Sequence, residues 1–326
     1  MSFFNNLWTI QFTYSIIILR KIGGLMDKNT IKRLIFVIVF VLIVVGIILF
    51  IKNTNKTEKA LKEKGYTKEE ATVIIEKLSE TDIEKILNID YNQKLVSIIN
   101  EQYYIPNNLE RYLNYSTKTD NIKDIISVVN VGADSEWYTN TSETNLDDGI
   151  KMLVNKFHYL KEDYSPDDIV PISNWYAYEG HSTKKEVYDN YVNMWNDANE
   201  EGLVLLVNSS YRTFEDQENE YNMSNDDYAS RPGFSEHQTG LALDIVSDGV
   251  QGNEFENTEE FKWLQENAQN YGFILRYPKD KEHITGYNYE SWHYRYVGKD
   301  LANKVKESGL TYDEYYAYYC EYKKAC

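Results

Sequence analysis

The sequence GFSEHQTGLALDI, residues 233–245, places His237 seven residues before Asp244. If residues 241–246 form a strand, Asp244 shares one face with Ala242, and the leucines and the isoleucine occupy the other face. A carboxylate in so apolar a strand is costly to bury unless it is paired or bound to a metal ion. The stretch therefore predicts a buried strand that carries one metal ligand, with His237 as a second ligand just before it.

A third candidate ligand, His293, follows Glu290 by three residues in the sequence ESWH. Two histidines and one aspartate leave one position of a tetrahedral zinc open for water, which is typical of a catalytic site. Zinc acidifies such a water, and a nearby glutamate can take its proton. In a regular strand Glu290 and His293 would point to opposite faces. Both reach one ion only if the chain bends near Ser291, so we expect the strand to begin at about Trp292.

Four blocks in order carry a family resemblance: SSYRTFEDQ (209–217), GFSEHQTGLALDI (233–245), YGFILRYP (271–278) and ESWHYRYVG (290–298). Together they resemble the successive signatures of VanY-type D-alanyl-D-alanine carboxypeptidases. These enzymes belong to a wider group of zinc peptidases that includes lysostaphin-like enzymes and the hedgehog signalling domain. The resemblance covers roughly residue 153 to the C-terminus.

The resemblance implies a role for each matching residue. His237, Asp244 and His293 would hold the zinc, and Glu290 would be the general base. Arg212 would contact the substrate carbonyl or terminal carboxylate, and the polar residues Gln217 and Ser235 would line the substrate site. The chemistry of arginine agrees, because its planar guanidinium offers a fixed bidentate fork for a carboxylate.

The implied function is a membrane-anchored zinc carboxypeptidase that removes the terminal D-Ala from peptidoglycan stem peptides. One alternative is an L,D-carboxypeptidase that acts on tetrapeptide stems. Another is a catalytically silent wall-binding protein. The length of the stem and the oligomeric state stay open.

Charge and composition exclude other classes of protein. Asp and Glu number 51 against 34 Lys and Arg, so the net charge of −17 gives no general attraction to nucleic acid. Apolar residues at 42% and aromatic residues at 14% are too many for a disordered chain. Cys320 and Cys326 are too few for a disulfide scaffold, but outside a membrane they could either pair or remain free thiols.

Residues 34–51, LIFVIVFVLIVVGIILFI, are eighteen residues without a charge. As a helix they would span about 27 Å, close to the thickness of a bilayer core. Lys28, Lys32 and Arg33 precede them, which favours a cytoplasmic N-terminus and an extracellular C-terminal part. We expect an uncleaved single-pass anchor in the cell membrane, because no small-residue cleavage site follows.

We expect an α+β fold: a compact zinc-peptidase domain with a central antiparallel sheet and flanking helices, preceded by a transmembrane helix and a small helical stalk. Residues 1–25 are a doubtful leader, because Met26 opens a more ordinary start. The expected parts are the leader (1–25), the cytoplasmic tip and anchor (26–52), the stalk and linker (53–146) and the zinc carboxypeptidase domain (147–326).

Local patterns make three further predictions. Thr67 and Glu70 form a capping box that begins a helix, and Thr183 and Glu186 form a second one. The β-branched run at 125–131 predicts a strand.

Overall fold

The computed structural model describes residues 28–223, 229–250 and 252–326, and the chain divides into two compact units. The first ends at Tyr91 and the second spans Asn92–Cys326. The doubtful leader and the candidate start at Met26 lie outside the described residues. The sequence-derived start of the peptidase domain, residue 147, falls inside the second unit.

The first unit is helical. Helix α1 (Lys28–Glu63) contains the uncharged run and is long and apolar enough to cross a membrane. Its last turns continue beyond that run, and Leu61 is fully buried. Two short helices follow, α2 (Lys68–Lys77) and α3 (Glu80–Asn88), each burying one apolar stripe.

The capping box at the start of α2 is confirmed. The Thr67 hydroxyl accepts a hydrogen bond from the Glu70 amide at 3.1 Å. The Glu70 carboxylate in turn accepts one from the Thr67 amide at 2.8 Å. Two amides that the first helical turn leaves free are thereby satisfied.

The second unit mixes helices and strands, as predicted. Its α-helices are α4 (Leu95–Asn100), α5 (Leu109–Tyr115), α6 (Ile122–Asn130), α7 (Lys185–Glu200), α8 (Phe214–Asn222), α9 (Glu259–Asn267), α10 (Glu282–Thr285), α11 (Lys299–Ser308) and α12 (Tyr312–Tyr315). Its strands are β1 (Ser142–Glu143), β2 (His158–Tyr159), β3 (Ile169–Pro171), β4 (Ser182–Lys184), β5 (Leu205–Ser209), β6 (Ala242–Ser247), β7 (Phe273–Leu275) and β8 (His293–Tyr296).

Strands β5, β6, β8 and β7 form, in that order, a four-stranded sheet in which every neighbouring pair is antiparallel. Leu241, Leu243 and Ile245 are buried in the core cluster beneath it. Helix α7 covers the same core with Val187, Tyr191 and other apolar residues. Asp244 therefore lies on the opposite face, as the alternation along the strand predicts.

The prediction of a strand at 125–131 was wrong, because α6 occupies this stretch. The Asn121 side chain caps the helix by accepting hydrogen bonds from the backbone amides two and three residues later. Ile125, Ile126 and Val129 then lie at helical spacing and pack with Tyr112. This packing outweighs the strand preference of β-branched residues.

The second predicted capping box was also wrong. Helix α7 begins at Lys185 without a side-chain cap, and Thr183 lies in β4. The buried Thr183 hydroxyl instead donates a hydrogen bond to the Gly240 carbonyl at 2.8 Å. It thereby ties β4 to the turn that enters β6.

The C-terminal segment packs within the second unit. The Ser127 hydroxyl donates to the Glu314 carboxylate, and the Tyr103 ring meets Tyr318 edge-on at 5.1 Å. The last turns form a π-helix (Tyr316–Tyr322), and Cys320 is joined to Cys326 by a disulfide. Helix α6 and the segment at Tyr103 therefore pack with the C-terminal helices.

Candidate metal and substrate site

Strand register brings two of the predicted ligands together. In the antiparallel pair β6–β8, Asp244 lies directly opposite His293. The Asp244 Oδ1 atom is 3.1 Å from His293 Nδ1. Two residues that are 49 positions apart in the chain thus meet as cross-strand neighbours.

The third predicted ligand comes from a short 3₁₀ helix (Glu236–Thr239) that precedes β6. The Ser235 hydroxyl caps this helix by accepting a hydrogen bond from the His237 amide at 3.4 Å. Gly240 ends it with φ +68°, and a Cβ atom there would lie 2.7 Å from Ile169 Cδ1. The chain turns back sharply into β6, which leaves His237 Nε2 3.4 Å from Asp244 Oδ1.

Hydrogen bonds on the far side of each ring orient the two histidines. His237 Nδ1 lies 2.7 Å from the Ser210 carbonyl oxygen, so this nitrogen carries the proton and Nε2 presents its lone pair. His293 Nε2 lies 3.3 Å from the Glu236 carboxylate, so Nδ1 is the nitrogen that faces Asp244. Partners of this kind are what fix the tautomer of a metal-binding histidine.

The donor set fits a zinc ion. The three candidate ligand atoms of His237, Asp244 and His293 lie within 4.8 Å of one another. Asp244 Oδ1 is buried, and no donor among the described residues hydrogen-bonds to it. Two imidazoles and one carboxylate are the protein ligands of many catalytic zinc sites.

Glu290 reaches the same cluster because the chain turns at Ser291 and Trp292 before β8 begins at His293. The expected bend is present, and the strand starts one residue later than expected. The Glu290 Oε2 atom is 3.6 Å from His293 Nδ1. Burial raises the pKa of Glu290 to about 7, which suits a group that must both accept and donate a proton.

Arg212 and Gln217 both contribute buried polar atoms. The Arg212 amide donates to the His237 carbonyl at 3.2 Å, which fixes the residue beside the cluster. Gln217 Nε2 donates to the Ser230 carbonyl at 2.8 Å. Arg212 Nε and Gln217 Oε1 have no hydrogen-bond partner in the part of the chain that the structure describes, so both remain available to a ligand.

One cavity of about 370 Å³ connects these groups, a size in the range of small-ligand pockets. All seven residues singled out from the sequence line it: Arg212, Gln217, Ser235, His237, Asp244, Glu290 and His293. The structure therefore brings together every one of the predicted site residues.

A buried ionic network below the cluster was missed. Glu236 accepts hydrogen bonds from Arg276 Nε at 2.8 Å and from Arg295 Nη1 at 2.7 Å. Arg276 also binds Asp313 through two nitrogens, and Asn155 donates to the same aspartate at 2.8 Å. A signal was present, because Arg276 directly follows the apolar strand β7 and Arg295 lies within the buried strand β8.

Comparison with known proteins identifies the family. The family model VanY, D-alanyl-D-alanine carboxypeptidase, matches residues 180–299. YodJ of Bacillus subtilis (strain 168) is 42% identical over 184 residues, which cover 52% of this chain and 67% of YodJ. A D-alanyl-D-alanine carboxypeptidase of Enterococcus faecium is 36% identical over 191 residues, covering 56% of this chain and 62% of that enzyme.

Among solved structures, the LdcB LD-carboxypeptidase matches with a TM-score of 0.52 and 38% identity. The match covers 55% of this chain and 91% of the LdcB chain. Residues 180–299, which the family model matches, contain the three candidate metal ligands and Glu290. The chain belongs to the VanY family of D-alanyl-D-alanine carboxypeptidases, which are zinc peptidases.

Proposed function

We propose that this protein is a zinc D-alanyl-D-alanine carboxypeptidase that removes the terminal D-Ala from peptidoglycan stem peptides. The observation that carries the proposal is the meeting of His237, Asp244 and His293 within 4.8 Å, with Glu290 beside them in one cavity. We assign the three side chains as zinc ligands and Glu290 as the general base.

Each polar group has a part in the reaction. Zinc held by these ligands supplies a Lewis acid that polarises a carbonyl and lowers the pKa of water. Glu290 accepts a proton from the attacking water and then delivers it to the leaving amine of D-Ala. Arg212 binds the carbonyl or the terminal carboxylate of the substrate through its guanidinium fork, while Gln217 and Ser235 complete the polar wall.

The similarity to the LdcB LD-carboxypeptidase supports one alternative, cleavage of tetrapeptide stems. Both reactions use the same metal and base, so the choice between them depends on the residue before the scissile bond. A silent wall-binding protein is disfavoured, because the complete cluster and Glu290 have no use in binding alone.

We further propose that α1 anchors the protein in the cell membrane by a single pass, with the peptidase domain outside. The apolar run and the lysines before it support this orientation. In this proposal residues 26–52 are the tip and anchor, 53–146 the stalk and linker, and 147–326 the enzyme, built around the four-stranded antiparallel sheet as its central sheet.

The decisive experiment incubates the zinc-loaded protein with a pentapeptide stem that ends in D-Ala-D-Ala and with the matching tetrapeptide. Mass spectrometry then follows the loss of one alanine. We expect loss from the pentapeptide. Loss from the tetrapeptide alone would establish the L,D-carboxypeptidase, and loss from neither would contradict both.

A further inference from the structure

Lys156 is a buried cation in the wall of the substrate cavity, and it belongs to none of the four sequence blocks that carry the family resemblance. The residue is only 7% exposed, yet it lines the same cavity as the candidate metal ligands. The alkyl stem passes Gly286, where a Cβ atom would lie 3.1 Å from Lys156 Cδ. Gly286 has φ +76°, so both the backbone conformation and the close contacts favour glycine there.

Three aromatic rings surround the ammonium group. Its Nζ lies 4.9 Å from the ring centre of Tyr287, 5.1 Å from that of Tyr138 and 5.9 Å from that of Trp137. Ring faces attract a cation, so the three rings favour the charged form of Lys156 at this place. The Tyr138 ring is also contacted by Arg231, whose guanidinium carbon lies 4.1 Å from the ring centre.

Stacked rings connect this corner to the reaction centre. Tyr287 packs on Tyr277 at 4.6 Å between ring centres, and Tyr277 packs on His293 at 4.9 Å. The rings of Tyr287 and Tyr277 thus separate Lys156 from the candidate ligand His293. Arg212 lies closer, because its backbone amide donates a hydrogen bond to the carbonyl of the candidate ligand His237. The cavity therefore holds two cations at different distances from the metal cluster.

We propose that Lys156 is a specificity-determining residue that binds a second carboxylate of the peptide, one on the N-terminal side of the scissile bond. This inference rests on the proposed function, in which Arg212 takes the terminal carboxylate. A lysine–carboxylate pair in a largely enclosed site is stronger than the same pair in water. Lys156 would thus make the enzyme prefer acidic peptides.

The net negative charge of the whole protein favours neutral or basic peptides over acidic ones, so a measured preference for acidic peptides would point to a local cause. A net charge of −17 repels an acidic peptide. The cavity wall also contains Glu220, Asp244 and Glu290. A preference for acidic peptides would therefore require a local cation, and among the described residues Lys156 lines the cavity on the far side of Tyr277 and Tyr287 from His293.

The test uses two matched peptide pairs, N-acetyl-Glu-D-Ala-D-Ala with its Gln counterpart, and N-acetyl-Glu-Ala-D-Ala-D-Ala with its Gln counterpart. For the zinc-loaded full chain we expect kcat/KM to be about tenfold higher for the Glu member of at least one pair, mainly through KM. In Lys156→Met this ratio should fall to about one, and Lys156→Arg should retain part of it.

Lys161→Met is the matched control, because Lys161 is exposed and pairs with Glu143 outside the cavity. It should keep the ratio of the unmodified protein. A ratio near one in the unmodified protein, or an unchanged ratio in a zinc-loaded and folded Lys156→Met, overturns the inference while the proposed function stands. Failure of the unmodified protein to cleave any of the four peptides overturns both.

Discussion

The Glu236 carboxylate lies 3.3 Å from His293 Nε2, on the side of the ring away from Asp244. The same carboxylate accepts hydrogen bonds from Arg276 and Arg295, and all three side chains are fully buried. Glu236 therefore connects a candidate metal ligand to the most deeply buried charges of the unit. Its role is to position the ring of His293, because it lies behind the ring and not among the candidate ligand atoms.

Glu236→Gln should weaken zinc binding by about 10- to 100-fold. The neutral amide of glutamine accepts the hydrogen bond from His293 Nε2 less strongly than the glutamate carboxylate and so orients the ring less firmly. The substitution should also lower the free energy of unfolding by about 3–5 kcal/mol, because two arginines lose a buried partner. Chelator competition measures the first effect and urea unfolding the second. Zinc affinity equal to that of the unmodified protein would contradict the positioning role.

His237→Ala and Glu290→Ala separate binding of the metal from catalysis. His237→Ala should lose both bound zinc and turnover, because it removes one of the three proposed protein ligands. Glu290→Ala should keep zinc and lose about 10²–10⁴-fold in kcat, the usual contribution of a general base. Metal analysis and D-Ala release are measured on the same samples. Full activity of Glu290→Ala would refute its assignment as the base.

Asp313→Asn tests the buried network at its C-terminal end. Asp313 binds Arg276 through two nitrogens and is 2% exposed, so its neutralisation should cost about 3–5 kcal/mol of unfolding free energy. The control is Glu259→Gln, which removes an exposed pair with Lys262 and should cost about 1 kcal/mol or less. Equal costs for the two variants in urea unfolding would contradict the structural role of the network.

Gly240→Ala tests the turn that places His237 before β6. The positive φ costs an alanine about 1–2 kcal/mol, and the Cβ atom would also collide with Ile169 at 2.7 Å. Gly249→Ala is the control, because it has φ +74° but no atom within 4 Å of the new carbon. We expect Gly240→Ala to unfold at a lower urea concentration than the control and to bind zinc more weakly. If the two variants unfolded at the same urea concentration and bound zinc equally well, the close approach to Ile169 would not be the reason for glycine at position 240.

The family resemblance was sufficient to single out the candidate ligands, and the alternation along β6 followed from local spacing alone. It could not show that Asp244 lies opposite His293, since the register of two distant strands depends on the whole sheet. The buried network was missed for the same reason, as the partners of Glu236 lie 40 and 59 residues away. At 122–130 local preference was misleading, because packing against Tyr112 favours a helix over a strand.

Helix α1 runs without interruption from the apolar segment into the core of the first unit, where Leu61 is fully buried. In the proposed topology, the ten residues from Lys52 to Leu61 form a rigid rod of about 15 Å above the bilayer. The height of the small helical core over the lipid surface is then set by the number of helical residues. Because residues one helical turn apart share a direction, inserting two residues would also rotate that core by about half a turn around the anchor axis.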